Sequence, residues 1–178
     1  MPHVTGDESL RKQIADLWPA YGAYILSFVV IGSYWANHHS FLELFRRTDH
    51  TFLMLNVIFL MTIAFLPFPT AVLGEYLTEE AQRADAVTFY SIGLLLPAIA
   101  WFLVWLYARW RGLLVEGLDP AYVRLATFQF LISVALYTAA VAVSFVEPWA
   151  ALAVCVGLTL LYLLPPRRPV FTAGADDR

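Results

Sequence analysis

The stretch "HTFLMLNVIFLMTIAFLPFPTAVLG", residues 50–74, contains no Asp, Glu, Lys or Arg and only one strongly polar side chain, Asn56, in its apolar part. A helix crosses the hydrocarbon core of a bilayer in roughly 20 residues, and this run is long enough to do so. Four more uncharged runs flank it, at 17–42, 86–108, 125–146 and 148–164, the last being the shortest. None alternates in the manner of barrel strands, and lipid admits only helices or closed barrels. The sequence therefore predicts an all-α integral membrane bundle of five transmembrane helices. Composition agrees: 60% of the 178 residues are hydrophobic and 14% charged, against roughly a quarter charged in soluble domains.

Between the runs lie the charges, and they are unevenly shared. Arg46, Arg47, Arg109, Arg111, Arg124, Arg167, Arg168 and Arg178 fall on one side, with Arg11, Lys12 and Arg83 on the other. The positive-inside rule makes the arginine-rich side cytoplasmic. Trp18, Tyr21 and Tyr24 then mark the outer border; Tyr34, Trp35, Trp101, Trp105, Tyr107 and Trp110 mark the inner one. The resulting division is an extracytoplasmic segment over 1–16, a transmembrane domain over 17–166 and a cytoplasmic polar tail over 167–178. In the first segment, Thr5 and Glu8 have capping-box spacing, and Leu10, Ile14, Leu17 and Trp18 share a face, which reads as a short surface helix resembling a loop between spans. "MPHVTGDESL" lacks the apolar core of a signal peptide. A net charge of -3 and no basic patch beyond the flanking arginines speak against nucleic acid. Cys155, alone inside the fifth run, forms no intramolecular disulfide.

Chemistry-bearing residues concentrate at the inner border, in "SYWANHHSFLELFRRTDH", residues 33–50. Trp35, His38 and His39 are three and four positions apart on one helix, and Asn56 lies on the next. A polar side chain at that depth costs a few kcal/mol without a partner, which favours an inter-helix hydrogen-bond network. Imidazoles hydrated at the headgroups, a metal site and a proton relay are the competing readings. Adjacent histidines point about 100° apart, so they chelate poorly, and their spacing matches no zinc pattern; no metal is expected. Asp49, with Thr48 as its competitor, suits the cap of the second helix. Pro67 and Pro69 remove two backbone donors and predict a helix break, read as termination near the outer border. Pro97 with Gly93, and Gly157, suit close helix packing. There is no nucleophile with a nearby base, no phosphate loop and no intramembrane carboxylate pair, so no enzyme is expected.

Five pieces, "LWPAYGAYILSF", "YWANHHSF", "DHTFLMLN", "FLPFPT" and "FYSIGLLL", occur in an order and spacing that resemble the bacterial members of the transmembrane protein 175 family of potassium channels. The resemblance implies six spanning helices per repeat, a homotetramer around a central pore in a bacterial plasma membrane, and no cofactor. Potassium or another monovalent cation would then pass down the axis, with the lipid bilayer as the other partner. It also implies that the Trp and His positions, with Asn56, pack against a polar motif of the family's first helix. That first helix carries an arginine followed four residues later by Phe-Ser-Asp, and it lines the pore. No Phe-Ser-Asp occurs here, and the first run resembles the family's second helix. A spanning helix is thus expected upstream of Met1, the five runs resemble helices two to six, and the ion pathway is left unassigned. A non-conducting scaffold or accessory subunit and a small-solute transporter are the alternative functions.

Overall fold

The computed structural model describes Arg11 and residues 18–164 and 168–172. The expected surface helix within 1–16 and the ends of the tail lie outside the described residues. Six helical pieces follow in order: α1 (Trp18–Leu42), α2 (His50–Phe65), α3 (Pro67–Tyr76), α4 (Arg83–Trp110), α5 (Pro120–Ser144) and α6 (Pro148–Tyr162). Because α2 and α3 run on as one segment, His50–Tyr76, they make five spans. Among the described residues, three segments are long and apolar enough to cross a membrane outright: His50–Tyr76, Arg83–Trp110 and Pro120–Ser144. The 15 residues of α6 extend only about 22 Å at 1.5 Å per residue.

Burial follows a helical period with a membrane protein's choice of side chains. In α1 the buried positions include Ser27, Val30, Tyr34, His38 and Phe41; in α2 they are Phe52, Asn56, Phe59 and Ile63. Both series step by three and four, one stripe down each helix. The remaining faces carry exposed Phe28, Trp35, Met54, Ile58 and Met61, which water would not tolerate in such number and lipid does. The central helix is α4, packed against α2, α3, α5 and α6. Its buried side is lined by small residues, Ala86, Ser91, Gly93, Ala100 and Ala108, among Tyr90, Leu94 and Trp105. Small side chains let helix backbones approach where no hydrophobic drive operates between them.

The proline pair joins two helices instead of ending one. Phe65 closes α2, Leu66 is the hinge, and Pro67 opens α3 at a position where a missing N–H costs nothing. Thr70 repairs the ladder, its hydroxyl donating to the Leu66 carbonyl at 2.9 Å while its amide reaches the same oxygen at 3.2 Å. The hinge delivers Pro69 against Gly93: a Cβ built on Gly93 would lie 2.6 Å from Pro69 Cγ. Pro97 remains inside an unbroken α4. Gly157 departs from expectation, since a Cβ there meets nothing within 4 Å; it faces outward and makes no tight helix contact among the described residues.

At the arginine-rich end the loops are tied together by backbone pairing that a helical pattern does not announce. Arg46 N–H donates to Leu113 O at 3.0 Å and Val115 N–H to Leu44 O at 2.9 Å. The segment after residue 167 returns to this end: Asp119 N–H donates to Val170 O and Thr172 N–H to Gly117 O, with Leu118 bridging Phe171. Gly112 and Gly117, at φ 62° and 83°, turn the chain where a side chain would be strained.

Candidate functional site

The basic end of the bundle brings together α1, α2 and α4. His38 projects inward because it continues the Val30–Tyr34–Phe41 stripe, and Asn56 projects from the stripe of α2 that faces it. Their side chains meet at 2.9 Å, His38 Nε2 to Asn56 Oδ1. The Asn56 amide donates its nitrogen to Phe52 O at 2.8 Å, so its oxygen is the acceptor and His38 carries its proton on Nε2. Both residues are buried, at 9% and 7% exposure. The imidazole is held by rings, with Phe59 at 5.3 Å and the edge of Trp101 at 6.1 Å.

Trp35 and His39 stand apart from that pair. Trp35 is 67% exposed and stacks on His39 with 6.1 Å between ring centroids and 14° between planes. His39 reaches outward towards Glu43 at 3.9 Å. The cause is angular: at about 100° per residue, a helix that points His38 into the bundle points His39 away from it, and Trp35, four residues earlier, goes with His39. Among the described residues, no three His, Cys, Asp or Glu side chains converge as metal ligands.

Asp49 lies at the same end with two duties. It caps α2, accepting from Phe52 N–H at 2.8 Å, and it receives the Tyr107 hydroxyl at 2.9 Å with Arg111 Nε at 3.6 Å. The Phe52 amide, then the Tyr107 hydroxyl and the Arg111 guanidinium, hold its carboxyl below the usual range against some desolvation. The second duty was absent from the sequence reading, though Tyr107 and Arg111 have the i, i+4 spacing of one helix face. Arg46 and Glu116 form a further pair across two loops.

Along the length of the bundle a series of polar contacts joins helices pairwise. Asn37 Nδ2 donates to Tyr162 O at 2.8 Å, and the Tyr162 hydroxyl donates to Ser133 at 2.7 Å. Thr88 meets Ser144 at 2.7 Å, while Trp105 Nε1 and Arg109 both donate to Thr127, at 2.9 and 2.7 Å. Hydroxyls and indoles spaced along a membrane bundle serve as inter-helix glue; sequence alone does not say which of many Ser, Thr and Tyr find partners. Among the described residues, Trp101 Nε1 and Tyr137 Oη are buried without one.

Residues 1–67 match the family model described as endosomal/lysosomal potassium channel TMEM175. A potassium channel of Chamaesiphon minutus is 36% identical over 156 residues, covering 87% of this chain and 76% of that protein. A potassium channel of Streptomyces collinus is 33% identical over 176 residues, covering 98% and 85%. The crystal structure of a lysosomal potassium-selective channel TMEM175 homolog from Chamaesiphon minutus superposes with a TM-score of 0.69 at 35% identity, over 86% of this chain and 77% of that one. Sharing a third of its residues and its fold over more than three quarters of these relatives, the chain is an integral membrane protein that belongs to the TMEM175 family.

Proposed function

We propose that the protein is a subunit of a potassium-permeable channel in a bacterial plasma membrane, passing cations passively down the axis of a homotetramer. The observation that carries this is the pair of bacterial relatives named potassium channels, each at least 33% identical over at least 76% of its length. The physical character of the chain agrees with passive flow. Among the described residues, the buried stripes hold hydroxyls, amides and aromatics, with no carboxylate or lysine, and their one basic ionisable side chain, His38, is engaged by Asn56, whereas coupled transporters keep an ionisable group in their path. The sequence has no "TVGYG" filter, so selectivity would rest on pore size and wetting of an apolar constriction. Exposed apolar stripes on α1 and α2, with Tyr24, Ile25 and Phe28 on the first and Val57, Ile58 and Met61 on the second, supply surface for packing between subunits.

In this reading the loops at 43–49 and 111–119, and the tail after 167, face the cytoplasm, with 1–16 outside. The His38–Asn56 pair fixes α1 against α2 and is not in the ion path. The test is flux into vesicles reconstituted with the protein, with charge compensated by an independent proton ionophore: potassium entry that follows its gradient, does not saturate at millimolar concentration and is not coupled to a second solute. Silent vesicles containing folded protein would favour a scaffold; saturable, coupled uptake would favour a transporter.

A further inference from the structure

A groove of about 780 Å³ opens on the side of the bundle between the second half of α1, the first half of α5 and the end of α6. It runs along α5 from Tyr122 to Leu136, about 21 Å at 1.5 Å per residue. One leaflet of a bilayer, headgroups included, is about 20–22 Å deep. The groove therefore starts at the arginine-rich border and ends near the bilayer centre. Its walls are acyl-like, with Leu125, Ile132 and Leu136 from α5 and Leu158 and Leu161 from α6. Its mouth carries one charge of each sign, Glu43 and Arg168. Part-way down, Ser133 and Trp101 line the groove, and the Trp101 indole N–H is buried without a partner among the described residues.

We propose that this groove is a binding site for one zwitterionic glycerophospholipid of the arginine-rich leaflet. The phosphate meets Arg168, the headgroup ammonium meets Glu43, and an acyl chain lies along α5. A lipid is favoured over a helix of a second copy by the two opposite charges at the mouth, which match the phosphate and the ammonium of one headgroup. An anionic headgroup is disfavoured by Glu43, since a second negative charge at the mouth meets a carboxylate there.

The experiment is native mass spectrometry of the full chain released from nanodiscs of mixed phosphatidylethanolamine and phosphatidylglycerol. The expected result is one retained phosphatidylethanolamine per chain, retained about fivefold less by Arg168→Ala, which removes one surface cation, and lost in Ile132→Trp, which fills the groove. Leu161→Trp, on the opposite and more exposed wall, gives the same loss if Ile132→Trp fails to fold. No retained lipid, equal retention of both headgroups, or retention unchanged by both tryptophans would overturn the proposal. So would an Ile132→Cys protein that oxidises to a disulfide-linked dimer in the bilayer, because the groove would then be covered by a second copy.

Discussion

Replacing Asn56 by Leu keeps the branched shape and the heavy-atom count of the side chain and removes the acceptor that His38 Nε2 meets at 2.9 Å. Two opposing magnitudes bound the outcome. A buried donor left without a partner costs about 1–3 kcal/mol in proteins generally. Inter-helix hydrogen bonds inside membrane bundles couple by about 0.6 kcal/mol on average and at most about 1.7, because the unfolded chain in lipid also finds partners. His38 is nine-tenths buried and closed in by Phe59 and Trp101, which bars water from replacing Asn56 and places this pair in the upper half of the membrane range. A double-mutant cycle of Asn56→Leu with His38→Phe should then give a coupling of about 1–1.7 kcal/mol, roughly a five- to eighteenfold change in the folding equilibrium, read by denaturant titration in mixed micelles. The same variants should leave the potassium-to-sodium flux ratio unchanged. A coupling near zero would refute the clamp. Altered selectivity at unchanged stability would place the pair in the ion path.

Gly93→Ala should destabilise by about 1–3 kcal/mol, since the new Cβ lies 2.6 Å from Pro69 Cγ and 3.1 Å from its Cβ; adding Pro69→Ala should restore part of the loss in thermal unfolding. Asp49 is titrated below its ordinary range in the folded state, so its contribution is present above the unfolded value near pH 4 and fades as pH falls through the lower folded value. Asp49→Asn, which can still cap α2, should flatten the acid limb of a stability-against-pH curve; an unchanged limb would sink that assignment. A cysteine at Glu79 should react with an impermeant thiol reagent from outside intact cells and one at Arg111 should not, and the reverse would overturn the orientation. Gly157→Ala, with open space around it, should not destabilise the isolated subunit and should stabilise α6 by up to about 1 kcal/mol through helix propensity.

Length and charge made the five spans legible, because a bilayer imposes both on any chain that crosses it. The side on which each helix is buried was less so. With apolar residues all round, a membrane helix hides the contrast that betrays an inner face in water, and the stripe is written in Ser27, Asn56, Ser91 and Ser133, whose burial shows only in the fold. In the structure His38 faces Asn56, while Trp35 and His39, about 100° round the same helix, lie on the outward face. Pro67 and Pro69 were legible as a break and not as a hinge, since the outcome depended on Gly93, distant in sequence, offering a recess. Gly157 presented the same local signal with no recess opposite it. Nothing local marks Val170–Phe171 as a partner for the 117–119 loop, because backbone pairing depends on where the chain returns.

Taken together, these features divide the bundle into a part that is fixed and a part that is free to bind. At the basic end, α1, α2 and α4 are joined by a buried hydrogen bond, a capped helix start shared with Tyr107 and Arg111, and backbone pairing between loops. Each tie has its polar atoms satisfied inside the protein, where lipid offers no substitute. Across the groove, α1 meets α6 through the Asn37 amide and the stacked rings of Tyr34 and Tyr162, and among the described residues the Trp101 indole has no acceptor. A tilt of α1 that pivots on the His38–Asn56 clamp changes its contact with α6 across the groove. Tyr162→Phe removes the hydroxyl that holds Ser133 at 2.7 Å without touching the clamp. It should therefore change the rate of potassium flux while leaving stability within about 1 kcal/mol of the parent. A variant that loses stability with flux unaltered would show that both sides of α1 serve only to hold the bundle together.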